Sequence, residues 1–79
     1  MVVDVRLFAT LRRQYPDLGI GESMPVELPD GATIEQLIEH LRLPATEVKI
    51  VFVNGITKKR EHVLNGGDQV GIFPPVGGG

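Results

Sequence analysis

The chain has no cysteine among its 79 residues, which removes a disulfide framework, a thiol nucleophile and a thiolate metal site together. Histidine is scarce as well: His40 and His62 stand far apart with no accompanying ligand spacing, so no metal is expected. Ser23 is the only serine and lies in a stretch read as loop, without a nucleophile-elbow setting, so a hydrolase triad has no support. An excess of charge of one sign is missing too. Eight basic residues against ten acidic ones leave a formal charge of −2, which argues against affinity for phosphate backbones, and nucleic acid is not an expected partner. Long hydrophobic runs are absent. The longest β-like apolar run is Ile50-Val51-Phe52-Val53, and Met1-Val2-Val3-Asp4-Val5-Arg6 places charges where a signal peptide would have its apolar stretch. Neither export nor a membrane partner is expected, and the expected location is the cytoplasm.

What remains is enough for one small folded domain. An apolar content of 42% is normal for a chain that builds a core, and about 0.05–0.15 kcal/mol per residue implies roughly 4–12 kcal/mol of net stability. In Val3-Asp4-Val5-Arg6-Leu7 apolar and charged positions alternate, the two-residue period of a strand covered on one face. Ala9 to Tyr15 is helix-compatible but stops at Pro16, giving one helical turn and then loop. Met24, Val26 and Leu28 alternate again around Pro25, which suits a sheet edge or a strand start, since proline donates no ladder bond. This second strand is expected to run antiparallel to the first.

Thr33 and Gln36 have capping-box spacing and open a helix in which Ile34, Leu37, Ile38 and Leu41 form one apolar stripe, with Pro44 expected to end it. A β-branched and aromatic run, Val48 to Val53, then meets Asn54-Gly55, whose tolerance of positive φ makes it a strong hairpin signal before a short fourth strand. Lys58-Lys59-Arg60 reads as a solvated charge run. Asn65-Gly66-Gly67-Asp68 reads as a turn; it lacks the lysine and following helix of a phosphate-binding loop. Gln69 to Phe73 alternates into a last strand. The expected class is α+β, a ββαβββ mixed sheet with one helix packed across it, occupying residues 1–73.

Residues 74–79, Pro74-Pro75-Val76-Gly77-Gly78-Gly79, are expected to form a flexible extended tail. Two consecutive prolines end the strand at Phe73 and favour a polyproline-like path, and six residues span at most about 20 Å, enough to reach a pocket in another protein. Three glycines carry no Cβ, so this backbone can thread a narrow channel with its last carbonyl unshielded. A glycine-rich end alone is often only a frayed terminus, but the proline pair and the body before it point to a working one. Phe73, at a strand end, suits either a half-core or a docking role, and Phe8 and Phe52 read more readily as structural aromatics.

The ending Phe73-Pro74-Pro75-Val76-Gly77-Gly78-Gly79 resembles that of the MoaD/ThiS family of ubiquitin-like sulfur carriers, and particularly the small subunit of molybdopterin synthase. The similarity runs nearly the whole chain: Leu7-Phe8-Ala9-Thr10-Leu11-Arg12, Asp30-Gly31-Ala32-Thr33-Ile34, Val53-Asn54-Gly55 and Gly67-Asp68-Gln69-Val70 resemble, in order, the family's first strand and turn, helix start, hairpin and last-strand start. The resemblance implies a β-grasp fold and a carrier rather than an enzyme. It implies that an E1-like adenylating enzyme consumes ATP to activate the Gly79 carboxylate, that sulfur then displaces AMP to leave a terminal thiocarboxylate, and that the carrier itself binds no cofactor. Gly79 would carry the sulfur, Gly77 and Gly78 would give access, and Phe73, Pro74, Pro75, Val76 and Phe8 would meet the partner, in one branch the large subunit of molybdopterin synthase. A Val-Gly-Gly-Gly ending is also familiar in the thiamin branch, while Pro74-Pro75 and Leu7-Phe8-Ala9 favour the molybdopterin branch. Ubiquitin-like protein modification and a plain docking module are the alternative functions.

Overall fold

The computed structural model describes residues 1–75 of the chain. Its strands are β1 (Val2–Leu7), β2 (Ser23–Glu27), β3 (Ile50–Val53), β4 (Ile56–Lys58) and β5 (Gln69–Phe73), and its one α-helix, α1 (Ile34–His40), lies between β2 and β3. The sheet order is β2-β1-β5-β3-β4. β1 and β5 run parallel at its centre, and every other pair is antiparallel. This is the ββαβββ mixed sheet and single helix of a β-grasp fold, as expected.

Alternation decides which face is covered. Val3, Val5 and Leu7 of β1, Val51 and Val53 of β3, and Val70 and Ile72 of β5 join Ile34, Leu37, Ile38 and Leu41 in one buried cluster. The helix starts as the sequence predicts. The Gln36 N–H donates to Thr33 Oγ1 at 3.2 Å, and the Thr33 N–H donates to Gln36 Oε1 at 2.8 Å, so a reciprocal cap satisfies two donors of the first turn. Its end differs from expectation. The helix stops at His40, before Pro44, because Arg42 takes a left-handed conformation (φ 57°). The Arg42 N–H then reaches the Glu39 carbonyl and the Leu43 N–H reaches the Ile38 carbonyl, the bond pair of a Schellman turn.

Other expectations are refined. Ala9–Gln14 is a six-residue 3-10 segment rather than one helical turn, and Ala9 opens it with φ 52°. Ser23, read as loop, is the first residue of β2, and of the Val48 to Val53 run only Ile50–Val53 is strand. Pro25 lies on β2, which is a sheet edge as its missing N–H requires. Asn54 and Gly55 both have positive φ, 52° and 85°, giving the mirror-type turn that suits a twisted hairpin. Lys58 and Lys59 are solvated, but Arg60 is not part of a free charge run. Its Nη2 donates to the Ala45 and Val48 carbonyls at 2.7 and 2.8 Å, and its Nη1 meets Glu35 Oε2 at 3.4 Å. It therefore ties the start of α1 to the segment that leads into β3.

Candidate functional site

The helix covers one face of the sheet, and the other face carries the candidate site. On β1 the parity that buries Val3, Val5 and Leu7 turns Asp4, Arg6 and then Phe8 outward. On β5 it turns out Gln69, Gly71 and Phe73, and on β3 it turns out Ile50 and Phe52. The strand registers bring these positions together: Leu7 pairs with Ile72, and Phe52 pairs with Gly71. Phe8 and Phe73 consequently stack with ring centroids 4.0 Å apart and planes within 5° of parallel. Phe52 meets Phe73 edge-on, at 5.5 Å and 75°, an arrangement that the aromatic quadrupole favours.

All three rings are half-buried, and none belongs to the buried core. They border a shallow depression of about 590 Å³ that Arg6, Gln69 and Gly71 also line. Gly71 is central to it. A Cβ built there would lie 3.4 Å from Phe8 Cε2 and 3.5 Å from Phe73 Cε1, so any side chain longer than a methyl would press on the stacked pair.

Two local features hold this surface. Phe8 is extended (φ −115°, ψ 149°), its N–H donates to the Ile72 carbonyl at 3.1 Å, and the left-handed Ala9 that follows starts the 3-10 segment. At the opposite end of β5, the buried Asp68 carboxylate accepts the Asn65 N–H at 2.8 Å and Asn54 Nδ2 at 3.0 Å, while Asn54 Oδ1 accepts the Gln69 N–H at 2.9 Å. The β3–β4 turn is thereby pinned to the start of β5.

Of the residues predicted to meet a partner, Phe8, Phe73, Pro74 and Pro75 fall together. The Phe73 carbonyl accepts the last sheet bond, from the Lys49 N–H at 2.8 Å, and the two prolines leave the sheet directly beside the ring cluster. Val76, Gly77, Gly78 and Gly79 lie outside the described residues. Phe52, Gly71 and Arg6 also line this candidate surface and carry no motif that marks them. Their signal was the alternation itself: each is out of phase with the buried residues of its own strand. Among the described residues no group of three or more His, Cys, Asp or Glu side chains could hold a metal ion, and no helix is long and apolar enough to cross a membrane.

The model of the ThiS family matches residues 5–79. Among solved structures, a putative molybdopterin converting factor subunit 1 from Pyrococcus furiosus is 28% identical, with a TM-score of 0.73, over 96% of this chain and 99% of that one. The solution structure of the HVO 2177 protein of Haloferax volcanii is also 28% identical, with a TM-score of 0.77, over 100% of this chain and 87% of that one. A chain of the complex of subunits 1 and 2 of molybdopterin-converting factor from Helicobacter pylori, at 20% identity and a TM-score of 0.63 over 100% of both chains, shares the fold. None of the curated proteins matches the sequence.

Proposed function

The chain belongs to the ThiS family of small ubiquitin-like carrier proteins, and on that premise we propose that it carries sulfur on the α-carboxylate of Gly79 for molybdopterin biosynthesis. A carboxylate is a poor acyl donor until it becomes a mixed anhydride. An E1-like partner supplies that activation: the Gly79 carboxylate attacks ATP, pyrophosphate leaves, and a glycyl adenylate forms. Attack by a sulfide-level donor then displaces AMP and leaves the thiocarboxylate, a good nucleophile at neutral pH. Gly77 and Gly78 let the carbonyl enter both partners' pockets, and the carrier needs no bound cofactor because the ATP is spent by the activating enzyme.

The observation that carries this reading is the adjacency of the tail's root to the ring cluster. Sheet pairing ends at Phe73, which is itself the middle ring of the Phe8-Phe73-Phe52 group. A partner that covers the rings also fixes where residues 74–79 begin. The occupant proposed for the ring face is the large subunit of molybdopterin synthase, supported by the converting-factor designation of the Pyrococcus furiosus relative.

Intact mass spectrometry after incubation with ATP, the host's E1-like adenylating enzyme and a sulfide source tests the proposal. The expected result is a mass increase equal to exchanging one oxygen for one sulfur, located on the fragment containing Gly79. An unchanged mass, with the enzyme shown active on another carrier, refutes it.

A further inference from the structure

The registers place Ser23, Arg6, Gly71, Phe52 and Thr57 in one line across all five strands on the open face. At the centre of that line Gly71 contributes no side chain. The result is a notch: backbone floor, the edges of Phe8 and Phe73 on one side, Phe52 on another and Arg6 on a third. A group entering it exchanges water for contact with three rings, which favours an aliphatic side chain.

Arg6 constrains what can lie beside that side chain. It is exposed, and among the described residues it forms no ion pair and no side-chain hydrogen bond; the ion pairs there are those of Asp30 with the amino terminus and of Glu35 with Arg60. An apolar partner closing over the rings would strip water from the guanidinium and leave a covered charge without an acceptor, which is strongly unfavourable. A carboxylate meets the planar fork with two parallel bonds and removes that penalty.

We propose that Arg6 and the notch over Gly71 form a two-part receptor for a partner surface that presents an aliphatic side chain next to a carboxylate. The aliphatic group fills the notch and the carboxylate pairs with Arg6. This rests on the reading that the large subunit docks on the ring face and adds the chemistry by which that face selects it. Arg6 is thus a specificity-determining residue, separate from the tail that carries the sulfur.

The test is the affinity and association rate of the full chain for the large subunit of its host's molybdopterin synthase, at low and high salt. The variants are Arg6→Ala, Arg6→Glu and Gly71→Ala, each checked for an unaltered fold by thermal unfolding. Arg6→Ala is expected to weaken binding roughly tenfold and to flatten the salt dependence of association, and Arg6→Glu to weaken it by about a hundredfold or more. Gly71→Ala, whose methyl occupies the notch floor, is expected to bind about tenfold more weakly while melting no lower than the parent. Equal affinity of Arg6→Glu and the parent overturns the role of the arginine, and equal affinity of Gly71→Ala overturns the notch. A parent chain that acquires sulfur on Gly79 but does not bind the large subunit overturns the docking reading and the receptor together, leaving sulfur carriage intact.

Discussion

Leu7 and Phe8 are neighbours in the chain but point to opposite faces of the sheet, and replacing each with alanine separates stability from docking. Leu7 is 1% exposed in the core beneath α1; its truncation leaves a cavity and is expected to cost about 3 kcal/mol, within the usual range for buried leucine. Phe8 is half-buried and outside that core, and its main partner is the stacked ring of Phe73 at 4.0 Å. Losing that stack is expected to cost about 0.5–1.5 kcal/mol, and the half-exposed ring adds less from lost area than a fully buried side chain would. Its extended backbone suits alanine equally well. Urea unfolding with an unchanged m-value reads the difference directly. Binding to the large subunit should reverse the order: Phe8→Ala loses a central aromatic anchor, worth about 2 kcal/mol or roughly thirtyfold. Leu7→Ala should bind nearly normally wherever it is folded. Equal destabilisation by the two substitutions would refute the assignment of the open face as a surface distinct from the core. Undiminished binding by Phe8→Ala would refute its role in docking.

Three other outcomes are expected. Thr33→Ala removes the reciprocal cap with Gln36 and should lower unfolding free energy by about 1 kcal/mol, with faster hydrogen exchange at the Gln36 amide. Asp68→Ala deletes a buried carboxylate that accepts from Asn65 and Asn54; a loss of about 3 kcal/mol should lower Tm by roughly 12–24 °C in a domain of this size, measured by circular dichroism. Deleting Gly78 and Gly79 should leave stability within about 0.5 kcal/mol of the parent, because the sheet closes at Phe73, and should abolish sulfur transfer in a reconstituted assay.

Features set by neighbours in the chain were legible in advance. The Thr33-Gln36 cap, the Asn54-Gly55 turn and the alternation in β1 and β5 each depend on a few consecutive residues, and each stands where the sequence predicts. The helix end was not legible. Pro44 is a visible stop, but the chain had already turned at Arg42, a residue whose side chain gives no sign of a left-handed backbone. The Schellman bonds from Arg42 and Leu43 outweigh that residue's conformational cost, and only the folded turn shows them. Arg60 is a similar case. Its acceptors, the carbonyls of Ala45 and Val48, are 15 and 12 positions away, so within Lys58-Lys59-Arg60 nothing distinguishes the residue that folds inward from the two that stay in water.

The candidate site follows the same division. The proline pair marks the end of β5 at Phe73 by a physical argument, whereas a partner role for Phe73, Pro74, Pro75 and Phe8 is what the family resemblance implies. Phe52 reads as a structural aromatic, and it is half-buried with its ring edge-on to Phe73. Its place on the open face has a specific cause. The helix-side face is filled by aliphatic residues such as Val3, Val5, Leu7, Val70 and Ile72, and the period of two leaves all three phenylalanines on the other face. Parallel pairing of β1 with β5, which no local pattern encodes, then sets Phe8 against Phe73. A glycine at position 71 keeps the space beside them open. A chain selected for stability alone would gain from alanine there, since glycine inside a strand costs about 0.5–1 kcal/mol. That the most central open position of the sheet forgoes this gain, in a domain with only roughly 4–12 kcal/mol to spend, is the strongest physical argument that the ring face is shaped to be covered.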